Sequence, residues 1–248
     1  MYLSKQGIKF LIPQILPYFA SLFTLTFPFF MQTHLPLLVF DLDGVLVDSE
    51  KLSEKHYVKC LQEDGFAVDT AFYNQHFLGR SSRDCLQTIQ EHFGRLPTAG
   101  VLERYDKLIE AALRSDLEPV PFIKESLLQL PHLKCVASGS ELPRIEVSLE
   151  VTGLASFFKN ITSSYEVAKG KPAPDVFLRA AEKNNHSPQD CIVIEDTIFG
   201  VEAGLAAGMK VLCYQPEPFM AYKVPDSVVV FHSMQQLPEL IQGFSSSH

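Results

Sequence analysis

The stretch 35–48, LPLLVFDLDGVLVD, decides the fold of this chain. Its first six residues have no polar alternation, and such a run predicts a strand buried on both faces, as in parallel sheets. The strand ends at Asp41 and Asp43, and Gly44 follows at once. Ligands of open α/β sheets bind at the carboxyl ends of the strands. Because a buried strand has little structural reason to end in two acids, we expect an enzyme that uses Asp41.

Downstream of Pro119 the chain alternates between strand-like and helical patterns. Strands are predicted over 134–137, 160–163, 191–194, 210–214 and 228–231, with helical patterns between most of them. This alternation is typical of βαβ units, which place helices on both faces of a parallel sheet. The sequence therefore predicts an α/β fold with a Rossmann-like parallel sheet flanked by helices.

Residues 51–116 carry helical patterns and no strand-like run. Four helices are predicted: one that Ser49 or Ser53 caps and that runs to Asp64, one over 70–77, one that Ser81 or Ser82 caps and that runs to Phe93, and one over 98–114. We therefore expect an inserted four-helix cap domain at 51–116 and a core domain formed by 35–50 and 117–243. Residues 244–248 are a serine-rich tail.

Residues 1–34 are an apolar N-terminal extension that we leave out of the fold prediction. The segment 10–31 has no charged residue and follows two lysines, as in a signal peptide or a membrane anchor. Its prolines would interrupt a spanning helix. Three interpretations stay open. The segment is an extension without function, as it would be if translation starts at Met31, or it is a membrane anchor, or it is a cleaved signal.

The chain carries 29 acidic and 21 basic residues, a formal charge of −8. This balance, with no run of Lys or Arg, argues against a nucleic-acid partner. An acidic protein that binds an anionic substrate needs a local cation, which a divalent metal would supply. The five cysteines are scattered without a Cys-x-x-Cys pair, and this favours a reducing compartment. We expect a cytoplasmic monomer, or an anchored or exported protein if residues 1–31 act as a signal.

Three further strands end in polar residues, as the first does. Ser138 follows Cys-Val-Ala, Lys171 stands in Gly-Lys-Pro-Ala-Pro-Asp, and Glu195 and Asp196 follow Ile-Val-Ile. Strand ends of a parallel sheet converge on one edge, so these groups should meet the first two acids in one crevice. Carboxylates are hard oxygen ligands that suit Mg²⁺.

The motifs and their order resemble those of the haloacid dehalogenase-like hydrolase superfamily. They are Asp41-x-Asp43-Gly44-x-Leu46-Val47-Asp48-Ser49, then Ser138, then Lys171, then Glu195-Asp196 with Gly200-x-x-Ala203-Gly204. The resemblance covers 35–241 and is to small-helical-cap phosphatases and β-phosphoglucomutase-like members. It implies a Mg²⁺-dependent phosphatase acting on a small phosphorylated metabolite of the sugar phosphate, phosphogluconate or phosphoglycolate type.

The resemblance implies different roles for the first two acids. Asp41 would attack phosphorus and become an aspartyl phosphate, and Asp43 would protonate the leaving oxygen and then activate water. Asp41 must then be ionised and Asp43 protonated at the start. We expect Mg²⁺ to favour the first condition, and burial beside a like charge to raise the pKa of Asp43.

The implied metal ligands are Asp41, Asp196 and the backbone carbonyl of Asp43, with Glu195 supporting or joining them. Mg²⁺ binds such oxygen ligands and substrate phosphate together.

The implied phosphate site contains Ser138, Gly139 and Lys171, whose ammonium would offset the negative charge. Lys169 is an alternative, but Lys171 precedes a proline, as in the family's Lys-Pro pair.

Arg80 and Arg83 flank the glycine turn where the family's cap reaches over the active site. We predict that one of them binds a substrate anion; solvated helix charges are the alternative. Asp48 either supports its loop or touches substrate.

Other functions fit the sequence less well. A β-phosphoglucomutase-like transferase is the runner-up, although mutases carry His in the cap linker where this chain has Ser53. Two-carbon dehalogenases lack the second acid that Asp43 provides. Receiver-type signalling modules are half this length, order their acids differently and have no inserted cap. An inactive scaffold would not retain every expected catalytic residue.

Overall fold

The structure is a computed structural model that describes residues 35–216 and 222–245. Six strands form one sheet in the order β3-β2-β1-β4-β5-β6, and each neighbouring pair is parallel. The strands are β1 Leu37–Phe40, β2 Lys134–Ser138, β3 Asn160–Ser163, β4 Cys191–Glu195, β5 Lys210–Tyr214 and β6 Val229–Phe231. The prediction of a Rossmann-like parallel sheet is confirmed.

Strand β1 occupies the centre of the sheet, and all four of its residues are fully buried. Phe40 lies level with Val136 of β2 on one side and with Ile194 of β4 on the other. The backbone N–H of Asp41 continues this ladder by donating to the carbonyl of Ile194 at 3.0 Å. Because the three strands end within two residues of one another, the polar residues at their ends share one edge of the sheet.

Nine helices are found in the described residues. Four of them follow β1 along the chain: α1 Glu50–Glu63, α2 Thr70–His76, α3 Ser82–Phe93 and α4 Ala99–Asp116. The others are α5 Ile123–Gln129, α6 Leu142–Val151, α7 Asp175–Lys183, α8 Ile198–Ala206 and α9 Leu237–Ser245. Two separate apolar clusters contain the side chains of alternate positions of β1: one contains Leu38 and Phe40, and the other contains Leu37 and Val39. These clusters and the sheet form the core.

Helices α1 to α4, residues 50–116, form what we call the helical insert. Asp69 caps α2 by accepting from the N–H of Phe72 at 2.8 Å, and Ser81 caps α3 by accepting from the N–H of Asp84 at 3.2 Å. A third apolar cluster, drawn from 57–89, is built from the insert alone. That residues 51–116 are an independent domain stays a prediction.

The turn between α2 and α3 brings the insert against the sheet edge. Gly79 has a φ of +71°, and a Cβ there would lie 2.5 Å from Cγ2 of Thr197, the residue that caps α8. Only glycine allows both the left-handed backbone and this close approach. The turn therefore lies directly over the carboxyl end of β4.

No helix in 35–216 or 222–245 combines the length and apolar character that crossing a membrane requires. The predicted N-terminal extension, residues 1–34, lies outside the described residues, as does most of the tail.

Candidate active site

Lys171 lies between two carboxylates at the edge of the sheet. Its Nζ donates to Oδ1 of Asp41 at 2.6 Å and to Oε1 of Glu195 at 2.7 Å. The three side chains are almost completely buried, whereas Lys169 is exposed. Of the two lysines considered, Lys171 is the one that reaches Asp41.

Both carboxylate oxygens of Glu195 have protein partners. Oε1 accepts from Lys171, and Oε2 accepts from the backbone N–H groups of Asp196 and Thr197, each at 2.7 Å, and from the Thr197 hydroxyl at 3.0 Å. Glu195 therefore fixes Lys171 and the backbone that presents Asp196. Because both of its oxygens are used in this way, the arrangement favours a Glu195 that supports the predicted metal ligands over one that binds the metal itself.

Asp41, Glu195 and Asp196 each place a carboxylate oxygen within 4.8 Å of the others. Oδ1 of Asp196 is buried and has no hydrogen-bond partner among the described residues. Gly44, with a φ of +79°, brings the loop so close that a Cβ there would overlap the Asp196 carboxylate. An orphaned buried carboxylate oxygen costs free energy that a cation would recover. The donors are hard oxygens, so the residues present fit Mg²⁺.

Burial raises the pKa of Asp41 to about 7, because the charges of Glu195 and Asp43 act with burial against the ammonium of Lys171. Burial, followed by the charges of Glu50, Glu195 and Asp41, raises the pKa of Asp196 well above its usual range. The single positive charge of Lys171 thus does not balance the negative charges of Asp41, Glu195 and Asp196. A further positive charge would ionise Asp41, the form in which a carboxylate is a nucleophile.

Asp43 faces a different set of partners. Ser49 Oγ and Arg144 Nη2 donate to its Oδ1, the arginine at 3.4 Å, and Ser140 Oγ donates to its Oδ2 at 2.8 Å. Burial acts to raise the pKa of Asp43, but Arg144, Ser49 and Ser140 together outweigh it and lower the pKa. The prediction of a raised pKa for Asp43 is wrong, because it took no account of these donors.

Ser138 and Gly139 lie next to Asp41, at the end of β2. The Ser138 side chain is fully buried, and its Oγ accepts from the backbone N–H of Ser140 at 3.0 Å. The carbonyl of Gly139 accepts from Ser164 Oγ at 2.9 Å. The loop after β2 is thus fixed by its own hydrogen bonds, with Gly139 facing the cavity.

A cavity of about 500 Å³ separates the sheet edge from the helical insert. The core contributes Asp41, Asp43 and the loop after β2. The insert contributes Tyr57, Tyr73, Tyr105 and apolar side chains. A cavity of this size falls within the usual range of small-molecule sites. Of the predicted site residues, Asp41, Asp43, Gly139, Arg80 and Arg83 line this cavity, whereas Ser138, Lys171, Glu195 and Asp196 are not part of its lining.

Arg80 and Arg83 both line this cavity, but in different ways. The Arg80 Nη1 donates to Thr88 Oγ1 at 2.9 Å, and its guanidinium lies 5.6 Å from the centre of the Phe199 ring. The Arg83 guanidinium lies 5.9 Å from the centre of the Tyr165 ring. Arg80 is therefore already engaged by protein groups. Asp48, half exposed, lies 3.8 Å from Lys51 and outside the cavity lining.

Sequence reasoning missed Arg144, Ser140 and Glu50, which all line the cavity. Arg144 stands in the first turn of α6, where a cation opposes the helix dipole, and this unfavourable position was the available signal. Glu50 begins α1, and burial followed by the charge of Asp43 raises its pKa to about 8. Its place as the first helical residue made it look like an ordinary helix-start acid.

Comparisons with known proteins identify similar sequences and folds. A family model described as haloacid dehalogenase-like hydrolase matches residues 38–214. The 6-phosphogluconate phosphatase of Escherichia coli K12 is 28% identical over 203 residues, covering 81% of this chain and 92% of that protein. A fructose-1-phosphate phosphatase of the same organism is 28% identical over 175 residues, covering 69% and 92%. The crystal structure of a β-phosphoglucomutase from Clostridium difficile has a TM-score of 0.73 at 25% identity, covering 85% and 97%.

Proposed function

Because the chain belongs to the haloacid dehalogenase-like hydrolases and is a phosphoric monoester hydrolase, we propose that it hydrolyses a small phosphorylated metabolite by way of an aspartyl phosphate on Asp41. The substrate classes are sugar phosphates, phosphogluconate and phosphoglycolate; relatives named for the first two cover most of this chain. The observation that carries the proposal is Lys171 between Asp41 and Glu195, beside the unpartnered oxygen of Asp196.

In the first step a carboxylate oxygen of Asp41 attacks phosphorus, and the bond from phosphorus to the ester oxygen breaks. Asp43 gives its proton to the departing oxygen, so that an alcohol leaves. Lys171 stays beside Asp41 and offsets the charge that gathers on the phosphoryl group, while Ser138 and Gly139 bind its oxygens.

In the second step a water oxygen attacks the phosphoryl group, and the bond from Asp41 to phosphorus breaks. Asp43 takes the proton from that water and is ready for another cycle. Since Arg144 holds the Asp43 carboxylate ionised, the acid role requires Asp43 to loosen this contact when substrate enters.

Mg²⁺ would be held by Asp41, Asp196 and the backbone carbonyl of Asp43, and when bound it supplies positive charge to the transferring phosphoryl group. Glu195 would support this metal site by orienting Lys171 and the backbone of Asp196 and Thr197.

The helical insert would act as the cap that excludes water and selects the alcohol. A cytoplasmic location is part of the proposal, supported by five buried cysteines that are all free. The chain would act as a monomer on a small metabolite, without nucleic acid.

A transferase of the β-phosphoglucomutase kind is the second candidate, since a mutase from Bacillus subtilis is 30% identical over 190 residues. Ser53, at the position of the mutase His, donates to the carbonyl of Ser49 at 3.0 Å and accepts from Arg144 at 2.7 Å. A serine held in this way does not shuttle protons as an imidazole does.

The test is phosphate release by the purified chain from p-nitrophenyl phosphate and from a panel of sugar phosphates, 6-phosphogluconate and phosphoglycolate. We expect release that requires Mg²⁺, stops with EDTA and is lost in Asp41→Asn. Interconversion of glucose 1-phosphate and glucose 6-phosphate with little phosphate release would favour the mutase. Inactivity on every ester would overturn both.

A further inference from the structure

Arg144 reaches the cavity from α6 and contacts Asp43, whereas Lys171 contacts Asp41. Its Nη2 lies 3.4 Å from Oδ1 of Asp43 and 2.7 Å from Oγ of Ser53, and its side chain is 21% exposed. The exposed part faces the cavity, whose lining includes Arg144. A cation beside the acid that would protonate the leaving oxygen also lies beside the alcohol part of the substrate.

Hydroxyl groups of the insert surround this guanidinium. Tyr105 of α4 lies close to both Arg144 and Ser53, and Tyr73 of α2 is close enough to feel the charge of Arg144. All four side chains line the cavity. A guanidinium with two phenols and a serine offers several donors and acceptors but a single positive charge.

This composition distinguishes between possible leaving groups. A second phosphate carries about two negative charges, which several basic side chains would ordinarily balance. A chain of hydroxyl groups needs alternating donors and acceptors and little net charge. Arg80 and Arg83 also line the cavity, but Asp106 and Glu141 line it with them, so the lining has no surplus of positive charge for a second phosphate.

We propose that Arg144, Tyr105 and Ser53 form the subsite that selects the alcohol part of the substrate, and that this part is polyhydroxylated. The inference rests on the proposed phosphatase function and adds the residues that set specificity. Arg144 donates to a substrate hydroxyl beside the ester oxygen, and Tyr105 holds the guanidinium in place.

The test compares two alkyl esters that both need a proton on the departing oxygen: sorbitol 6-phosphate, whose alcohol part is polyhydroxylated and uncharged, and n-butyl phosphate, whose alcohol part has no further hydroxyl. For Arg144→Gln we expect the ratio of their kcat/KM values to fall by roughly 10- to 100-fold, the loss typical of one charge-assisted hydrogen bond. Tyr105→Phe should lower it in the same direction by less. Arg114→Gln, an exposed arginine of α4 paired with Glu110, is the matched control and should leave the ratio as in the wild type.

If Arg144 acts only through Asp43 or through folding, both esters will suffer equally and the ratio will not move; that result would overturn the inference. Calorimetric titration in the inactive Asp41→Asn background gives a second readout. There Arg144→Gln should weaken binding of sorbitol 6-phosphate by a larger factor than binding of n-butyl phosphate, and equal factors would also overturn the inference. A wild-type enzyme inactive on both esters and on p-nitrophenyl phosphate would overturn the proposed function itself.

Discussion

Lys171 donates a 2.6 Å hydrogen bond to Asp41, a residue 130 positions earlier in the chain. The same ammonium reaches Glu195 at 2.7 Å, so one buried cation is shared by the acids that end β1 and β4. A buried charge is tolerated only when it is paired and hydrogen-bonded. Lys171 therefore contributes to folding as well as to the proposed chemistry.

Lys171→Met is expected to abolish turnover and to destabilise the fold. Two buried carboxylates would lose their cation, and breaking a buried ion pair from one side typically costs about 3–5 kcal/mol. The measurement is urea unfolding together with p-nitrophenyl phosphate hydrolysis. Lys169→Met is the control, because this exposed lysine lies two positions away. Equal behaviour of the two variants would rule out this role of Lys171.

Asp43→Asn is expected to accumulate phosphoenzyme. Asp41 retains its nucleophilic oxygen, but the base that activates water in the second step is gone. An ester with a good leaving group, such as p-nitrophenyl phosphate, needs little help in the first step. Rapid-quench assays should show a burst of at most one nitrophenolate per enzyme, and intact mass should show the added phosphoryl group. Steady turnover at the wild-type rate would remove Asp43 from its role.

Much of the site was predictable because the chemistry stands at strand ends. Asp41, Ser138 and Glu195 each follow an apolar run, and parallel strands that end within two residues of one another bring them together. Arg144 was not predictable in the same way. It reaches Asp43 from a helix face 101 positions away, and no spacing in the sequence records which helix face turns toward the cavity.

The prediction of a raised pKa for Asp43 was wrong for the same reason, because the packing of the helices could not be read from the sequence. Burial and like charge can be inferred from a motif, but donors from Ser140 and Arg144 depend on how α6 packs beside α1 and α4. Ser49, six positions after Asp43, is one of the two predicted caps of α1; its hydroxyl donates to Asp43 instead of capping the helix.

Stability should fall as the pH rises from about 4 to about 7 through the contribution of Asp41. Its pKa is near 7 in the folded protein and close to 4 in an unfolded chain, so the folded state binds more protons in this window. The contribution changes by at most about 1.4 kcal/mol per pH unit. The measurement is the free energy of unfolding of the wild type minus that of Asp41→Asn, followed across pH; Asp43, whose lowered pKa acts in the opposite direction, largely cancels in this difference.

Added Mg²⁺ should stabilise the wild type more at pH 8 than at pH 5. At the higher pH the metal meets an ionised Asp41 and need not displace a proton. Thermal unfolding with Mg²⁺ and with EDTA measures the effect, and Asp196→Asn should reduce it. A Tm increase that is the same at both pH values would contradict the assignment of these carboxylates as ligands.

Gly79→Ala is expected to weaken the closure of the insert over the sheet edge. A left-handed backbone costs a non-glycine residue roughly 1–2 kcal/mol, and the added Cβ would lie 2.5 Å from the side chain of Thr197. Thr197 also donates to Glu195, so its displacement would disturb the support of Lys171. We expect kcat/KM to fall about tenfold or more, with a lower Tm. Gly100→Ala is the control, since Gly100 lies within α4 with nothing within 4 Å of an added Cβ, and it should be neutral or slightly stabilising. Should the two variants match in activity and in Tm, the turn at Gly79 has no part in closing the site.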